Sequence, residues 1–193
     1  MIGAAYLHTA IGWRPAATLT VFGTTASSGS PAFASNGNVF VNTNHPVWLT
    51  AQRTREKILT HELFHVLQSN RAWDRSLLWL VEGTAEYFGY RGAFINRGTL
   101  TEDEARSCHV FSVSQANPPL GPLSSYESAS GAGPVYSLFY LAAARLAALK
   151  GIDSLATITS FEAAFDMSKQ AFYQDFEAYR QSLTPPAQYV CPH

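Results

Sequence analysis

Charge is scarce in this chain: only 14% of its 193 residues are Asp, Glu, Lys or Arg, and the formal net charge is -1. The basic residues are scattered singly, apart from Arg53, Arg55 and Lys57 on one prospective helix edge. Without a basic stripe there is no footprint for a phosphate backbone, so nucleic acid is not an expected partner. Long apolar runs are missing too. The best candidate, residues 135–149, falls short of the ~20 residues a membrane span needs and is interrupted by Arg145, so it reads as a buried helix. The first residues lack a charged stretch followed by a long apolar one, so no signal peptide is expected there, although a fragment edge would look the same.

Cysteine is nearly absent. Cys108 and Cys191 are the only two, and neither has CxxC spacing, which excludes a thiolate-based metal cluster. Cys108 reads as part of a loop-like stretch. A Cys108–Cys191 disulfide tying the tail to the body of an extracytoplasmic or secreted protein and a pair of free thiols are both open readings.

What the chain does have is apolar and aromatic content, 47% and 13%, the composition of a compact globular protein rather than a disordered one. Its length suits one domain, 1–193, built as one body or as two lobes divided near residue 75. Residues 4–12 read as a helix ended by Gly12 and Pro15. The segment 18–22 reads as a strand and 24–37 as a Ser/Gly/Thr-rich loop, followed by a second strand at 38–42. Helices are then expected around 50–69 and 77–88, in a short piece near 97–106, and at 135–149, 154–159, 161–165 and 169–183, with a long loop over 117–134. Ser168 is the expected N-cap of the last helix, and Phe172, Phe176 and Tyr179 its core-facing stripe.

Against this background His61-Glu62-Leu63-Phe64-His65 stands out. Residues four apart share one helix face, so a helix here directs both imidazoles to one point, with the Glu62 carboxylate beside it. That is the two-histidine part of a zinc site with its general base. The segment 50–69 has no Gly or Pro, and Ile58, Leu59, Leu63, Val66 and Leu67 fall near the helical period. Two core histidines are the plainer alternative.

A catalytic zinc takes three protein ligands and keeps a fourth position for water. The third ligand is expected from Glu82, 16 residues after His65 in an otherwise apolar stretch, where a lone carboxylate needs a cation. A partly exposed Glu at a helix start is the alternative. Glu86, one turn later, is placed to take the second N–H of His61, unless it is an ordinary surface residue. Gly83 is expected to let this second helix approach the first at the metal. His45 and His109 read as loop histidines outside the ligand set.

The pairing of HELFH with Trp79-Leu80-Val81-Glu82-Gly83-Thr84-Ala85-Glu86-Tyr87 resembles the gluzincin zinc metallopeptidases, in particular the peptidase MA-like domains related to aminopeptidase N and, more distantly, thermolysin. The resemblance covers roughly residues 50–183. It extends through 136–141 and 164–168. It implies an α+β, mostly α, zincin-like catalytic domain with a small N-terminal sheet lobe, a helical C-terminal lobe and the active-site helix between them, the substrate cleft running between the lobes. It implies Zn2+ held by His61, His65 and Glu82, Glu62 as base, and a peptide or protein substrate held by an edge strand at Val39–Val41. Tyr136 is the donor it suggests for the oxyanion, with Tyr126 and Tyr140 as competitors and simple packing at a helix entrance as the alternative. The spacing to Glu82 is shorter than in those relatives, and the Gly-x-Met-Glu-Asn exopeptidase signature is absent. An inactive, peptidase-like zinc-binding recognition module and a zinc hydrolase of a non-peptide amide remain alternatives.

Overall fold

The structure is a computed structural model that describes residues 2–13, 20–24, 29–129, 131, 133–188 and 191. It is α+β and mostly helical, with one three-stranded sheet. Two compact units can be distinguished. The first comprises Met1–Arg71 with Phe88–Thr101, the second Ala72–Tyr87 with Glu102–Pro192.

In the first unit, α1 (Ile2–Ile11) precedes strands β1 (Val21–Thr24), β2 (Ala32–Ser35) and β3 (Asn38–Asn42), and α2 (Gln52–Asn70) follows. Thr18 and Leu19, expected in the first strand, lie outside the described residues. Strand β2 falls within the segment expected to be loop. Its signal is the Asn36-Gly37 dipeptide: both residues have positive φ, 49° and 74°, which a two-residue hairpin turn between right-twisted strands requires. Ser35 consequently pairs with Asn38 across the turn. The sheet order is β1-β3-β2, with β3 parallel to β1 and antiparallel to β2. Strand β3 is therefore central and hydrogen-bonded on both sides. Val39–Val41 cannot be the edge strand that the resemblance implies; the edges are β1 and β2. Alternation along the strands sorts the faces. Ala32 and Val39 are buried on the face where α2 packs, while Phe22, Phe40 and Phe33 form a cross-strand aromatic row on the other.

In the second unit, most of α3 (Leu78–Tyr90) is joined by α4 (Glu102–Ser114), α5 (Pro134–Lys150), α6 (Phe161–Phe165) and α7 (Lys169–Ser182). Helix α4 continues well past residue 106, so Cys108 and His109 are buried helical residues rather than loop residues. The expected helix at 154–159 is a 3-10 turn, Ile152–Leu155. Ser168 caps α7 by accepting from the Ala171 N–H at 3.1 Å. Phe172 and Phe176 are fully buried, each contributing about 1.5–3 kcal/mol of apolar burial, and Phe172 stacks on Trp79. A disulfide joins Cys108 to Cys191. No helix among the described residues is long and apolar enough to cross a membrane.

Candidate metal centre

The middle of α2 carries His61, Glu62 and His65, the first two only 9% and 8% exposed. One helical turn brings the imidazoles together at 81°, with their Nε2 atoms 3.0 Å apart. Among the described residues, His61, His65 and Glu82 form a group whose candidate ligand atoms all lie within 4.8 Å of one another. Two imidazole nitrogens and one carboxylate oxygen are a donor set suited to catalytic zinc, with three protein ligands and one position to spare.

Within the first unit, the end of α3 packs closely against α2. A Cβ added at Gly89 on α3 would stand 3.0 Å from the Lys57 carbonyl oxygen and 3.4 Å from His61 Cβ. A methyl there would be tight, and its neighbours would have to yield by a few tenths of an ångström. Glu86 and Glu82 lie three and seven residues before Gly89, so helical periodicity puts all three on one face of α3. Gly83 was expected to serve this contact, but it faces α5 instead: a Cβ there would fall 2.5 Å from the Phe139 carbonyl oxygen. Position 83 lies about 100° around the helix from Glu82, which accounts for the difference. Gly3 and Gly92 similarly abut Thr60, one residue before His61.

The start of α3 is held independently. The Leu78 N–H donates to the Glu127 carbonyl at 2.7 Å, and the Trp79 indole N–H donates to the Tyr173 hydroxyl at 3.0 Å. That hydroxyl in turn donates to the Glu127 carboxylate at 2.8 Å. The hydrogen bond from Lys169 holds the Glu127 carboxyl below its usual range, while burial raises the Tyr173 phenol far above its own. This network anchors the turn that precedes Glu82.

Sequence reasoning did not single out Gln68, which is 1% exposed and whose Oε1 lies 2.7 Å from His65 Nδ1. With the amide oxygen as acceptor, His65 carries its proton on Nδ1 and keeps a lone pair on Nε2, the atom facing His61. The usable signal was its position, three residues after His65 on the same helical face. Glu62 differs from its neighbours: its carboxylate makes no hydrogen bond or ion pair with any described residue, and its oxygens are not among the fully enclosed polar atoms. Glu86 is 5% exposed, so it is not a surface residue.

The remaining candidates are placed as follows. Tyr136 is half-buried on the first turn of α5, its ring tilted against Phe139. Tyr126 meets Phe139 edge-on. Tyr140 is 1% exposed and stacked on His109, whose Nδ1 is 3.1 Å from the Ser137 hydroxyl. His45 accepts from the Val47 N–H and caps a short 3-10 turn. The chain matches no family model, and the comparisons with curated proteins and with solved structures found no match either.

Proposed function

We propose that this chain is a zinc-dependent metallopeptidase catalytic domain of the gluzincin type. The observation that carries the reading is the grouping of His61, His65 and Glu82, whose candidate ligand atoms lie within 4.8 Å of one another, with Glu62 next to His61 on the same helix. His61, His65 and Glu82 would hold the ion. Zinc, when bound, supplies Lewis acidity that brings a water molecule to a pKa of about 7 and polarises a carbonyl. Glu62 takes the proton of the attacking water and passes it to the leaving amine. Tyr136 is the oxyanion donor that the resemblance suggests, with Tyr126 as its competitor; Tyr140 is fully buried and stacked on His109. Glu86 orients His61 as a buried acceptor on the same face of α3 as Glu82.

The substrate class is a peptide or protein. The Cys108–Cys191 disulfide supports an oxidising, extracytoplasmic setting. Metal analysis of the purified protein, paired with peptide-library cleavage by the wild type and by Glu62→Gln, tests the reading. Stoichiometric zinc in both proteins is expected, with cleavage falling about 10²–10⁴-fold in the variant. Undiminished cleavage by Glu62→Gln overturns the mechanism, and a protein that takes up no zinc overturns the site. Full zinc occupancy with no peptide cleaved replaces it with a recognition module, or with an amidase if non-peptide amides are cleaved.

A further inference from the structure

The second unit contains a cavity of about 400 Å³ that the metal reading does not use. Helix α5 makes the hollow by presenting Ala144, Ala147 and Ala148, an i, i+3, i+4 set in which no side chain extends beyond a methyl group. Half-buried Tyr179 supplies aromatic surface from α7, while Tyr140 and Tyr87, their rings 5.7 Å apart, are buried beneath the hollow. On α3, Tyr87 lies about 100° around the helix from Glu86 and about 140° from the candidate ligand Glu82, so the tyrosine belongs to a different helical face.

Two guanidinium groups also line the cavity, with Glu102 as the only carboxylate among the lining residues. Asp175 takes the Nε and Nη2 donors of Arg145 at 2.9 and 2.8 Å, which fixes the group in a fork 4.9 Å over the Tyr179 ring. Arg145 Nη1 has no acceptor among the described residues. Arg106 reaches Asp103 through Nη2 at 2.8 Å, and its Nε and Nη1 likewise have no acceptor among them. Planar donors that remain available beside a methyl- and ring-lined hollow suit a carboxylate attached to a flat apolar body. The volume lies within the ~300–1,000 Å³ range of small-molecule sites, and the mix of aromatic wall and few polar groups is typical of them.

We propose that this cavity is a second ligand site, separate from the metal centre, that takes a small aromatic carboxylate, with the ring against Tyr179 and the alanine methyls and the carboxylate on Arg106 and Arg145. The test is titration of the intact protein with benzoate, benzyl alcohol and benzylamine, followed by calorimetry and by ligand-observed magnetic resonance. Because a carboxylate also has affinity for zinc, the titration is repeated in His65→Ala, so that failure of the metal reading leaves this one testable. Saturable one-to-one benzoate binding is expected in both proteins, about tenfold weaker in Arg106→Gln. It should be lost in Ala148→Trp, whose new side chain starts from an exposed rim position. Melting temperature serves as the check that both variants are folded. Equal binding of the alcohol or the amine, binding that disappears in His65→Ala, or benzoate binding unchanged in Arg106→Gln and Ala148→Trp would each overturn the assignment.

Discussion

His65 donates its Nδ1–H to the side-chain oxygen of Gln68 across 2.7 Å, and Gln68 is almost completely enclosed. The bond fixes which nitrogen of His65 keeps its lone pair. Imidazole ligands depend on such partners for orientation and basicity, and losing one typically costs 10–100-fold in metal affinity.

Gln68→Ala should therefore weaken zinc binding about 10–100-fold while leaving the helical circular-dichroism signal intact. Competition against a chelator of known affinity measures it. Gln68→Glu, which keeps an acceptor in place, should restore most of the loss. An affinity equal to wild type in Gln68→Ala would show that the bond does not act on the ligand.

The two glycines of α3 should separate stability from metal binding. Alanine gains about 1 kcal/mol of helix propensity over glycine, whereas overpacking costs about 1–3 kcal/mol. Gly83→Ala drives a methyl to 2.5 Å from the Phe139 carbonyl oxygen, so a net loss of about 1–2 kcal/mol is expected in chemical denaturation. Gly89→Ala makes the milder contact, 3.0 Å from the Lys57 carbonyl oxygen and 3.4 Å from His61 Cβ. Its stability should change little. Its zinc affinity should fall further than that of Gly83→Ala, because the displaced neighbour carries a ligand.

The Cys108–Cys191 bond closes a span of 83 residues. Restricting so long a loop in the unfolded chain is worth about 2–4 kcal/mol in typical proteins. Replacing both cysteines by serine should lower the urea midpoint accordingly, and reductant should shift the wild type to the same midpoint while leaving the double variant unmoved. A wild type whose midpoint ignores reductant would show that the tether contributes nothing.

Acid should weaken the second unit through Asp175 and Glu127. The hydrogen bond from Arg145 holds the Asp175 carboxyl below its ordinary 3.8, and that from Lys169 holds Glu127 below its ordinary 4.5. Each depressed carboxyl contributes stability that is complete above the unfolded-state value and is lost as pH falls through the folded one. Both pairs are partly exposed, so each contributes under about 1 kcal/mol. Asp175→Asn should flatten the decline in unfolding free energy between about pH 5 and pH 2. An unchanged slope would show that the pair is screened out.

Much of this molecule is legible because short-range periodicity wrote it. The helix through His61 and His65, the short helix Phe161–Phe165 and the Ser168-capped last helix follow from spacing, caps and the positions of Gly and Pro. Strand β2 was hidden because Ala32–Ser35 is short and flanked by Ser and Gly, although Asn36-Gly37 announced the hairpin. The extent of α4 was hidden for a related reason. Its polar first turns resemble a surface segment until Cys108, His109 and Val110 are seen to be buried.

Sequence by itself determined that two histidines share one face of a helix, with Glu62 about 100° round from His61, and that Glu82 and Glu86 share a face of another, because a 3.6-residue period leaves no alternative once the helices form. Tertiary structure decided which glycine meets which helix, that β3 is the central strand, that Gln68 holds His65, and that Glu82 joins the two imidazoles in one group. Those are contacts between segments distant in sequence, or choices among rotamers within a turn, and local periodicity carries no information about either. The pairing of HELFH with Glu82 is an expectation about spacing in the sequence; the structure adds that the candidate ligand atoms of His61, His65 and Glu82 lie within 4.8 Å of one another.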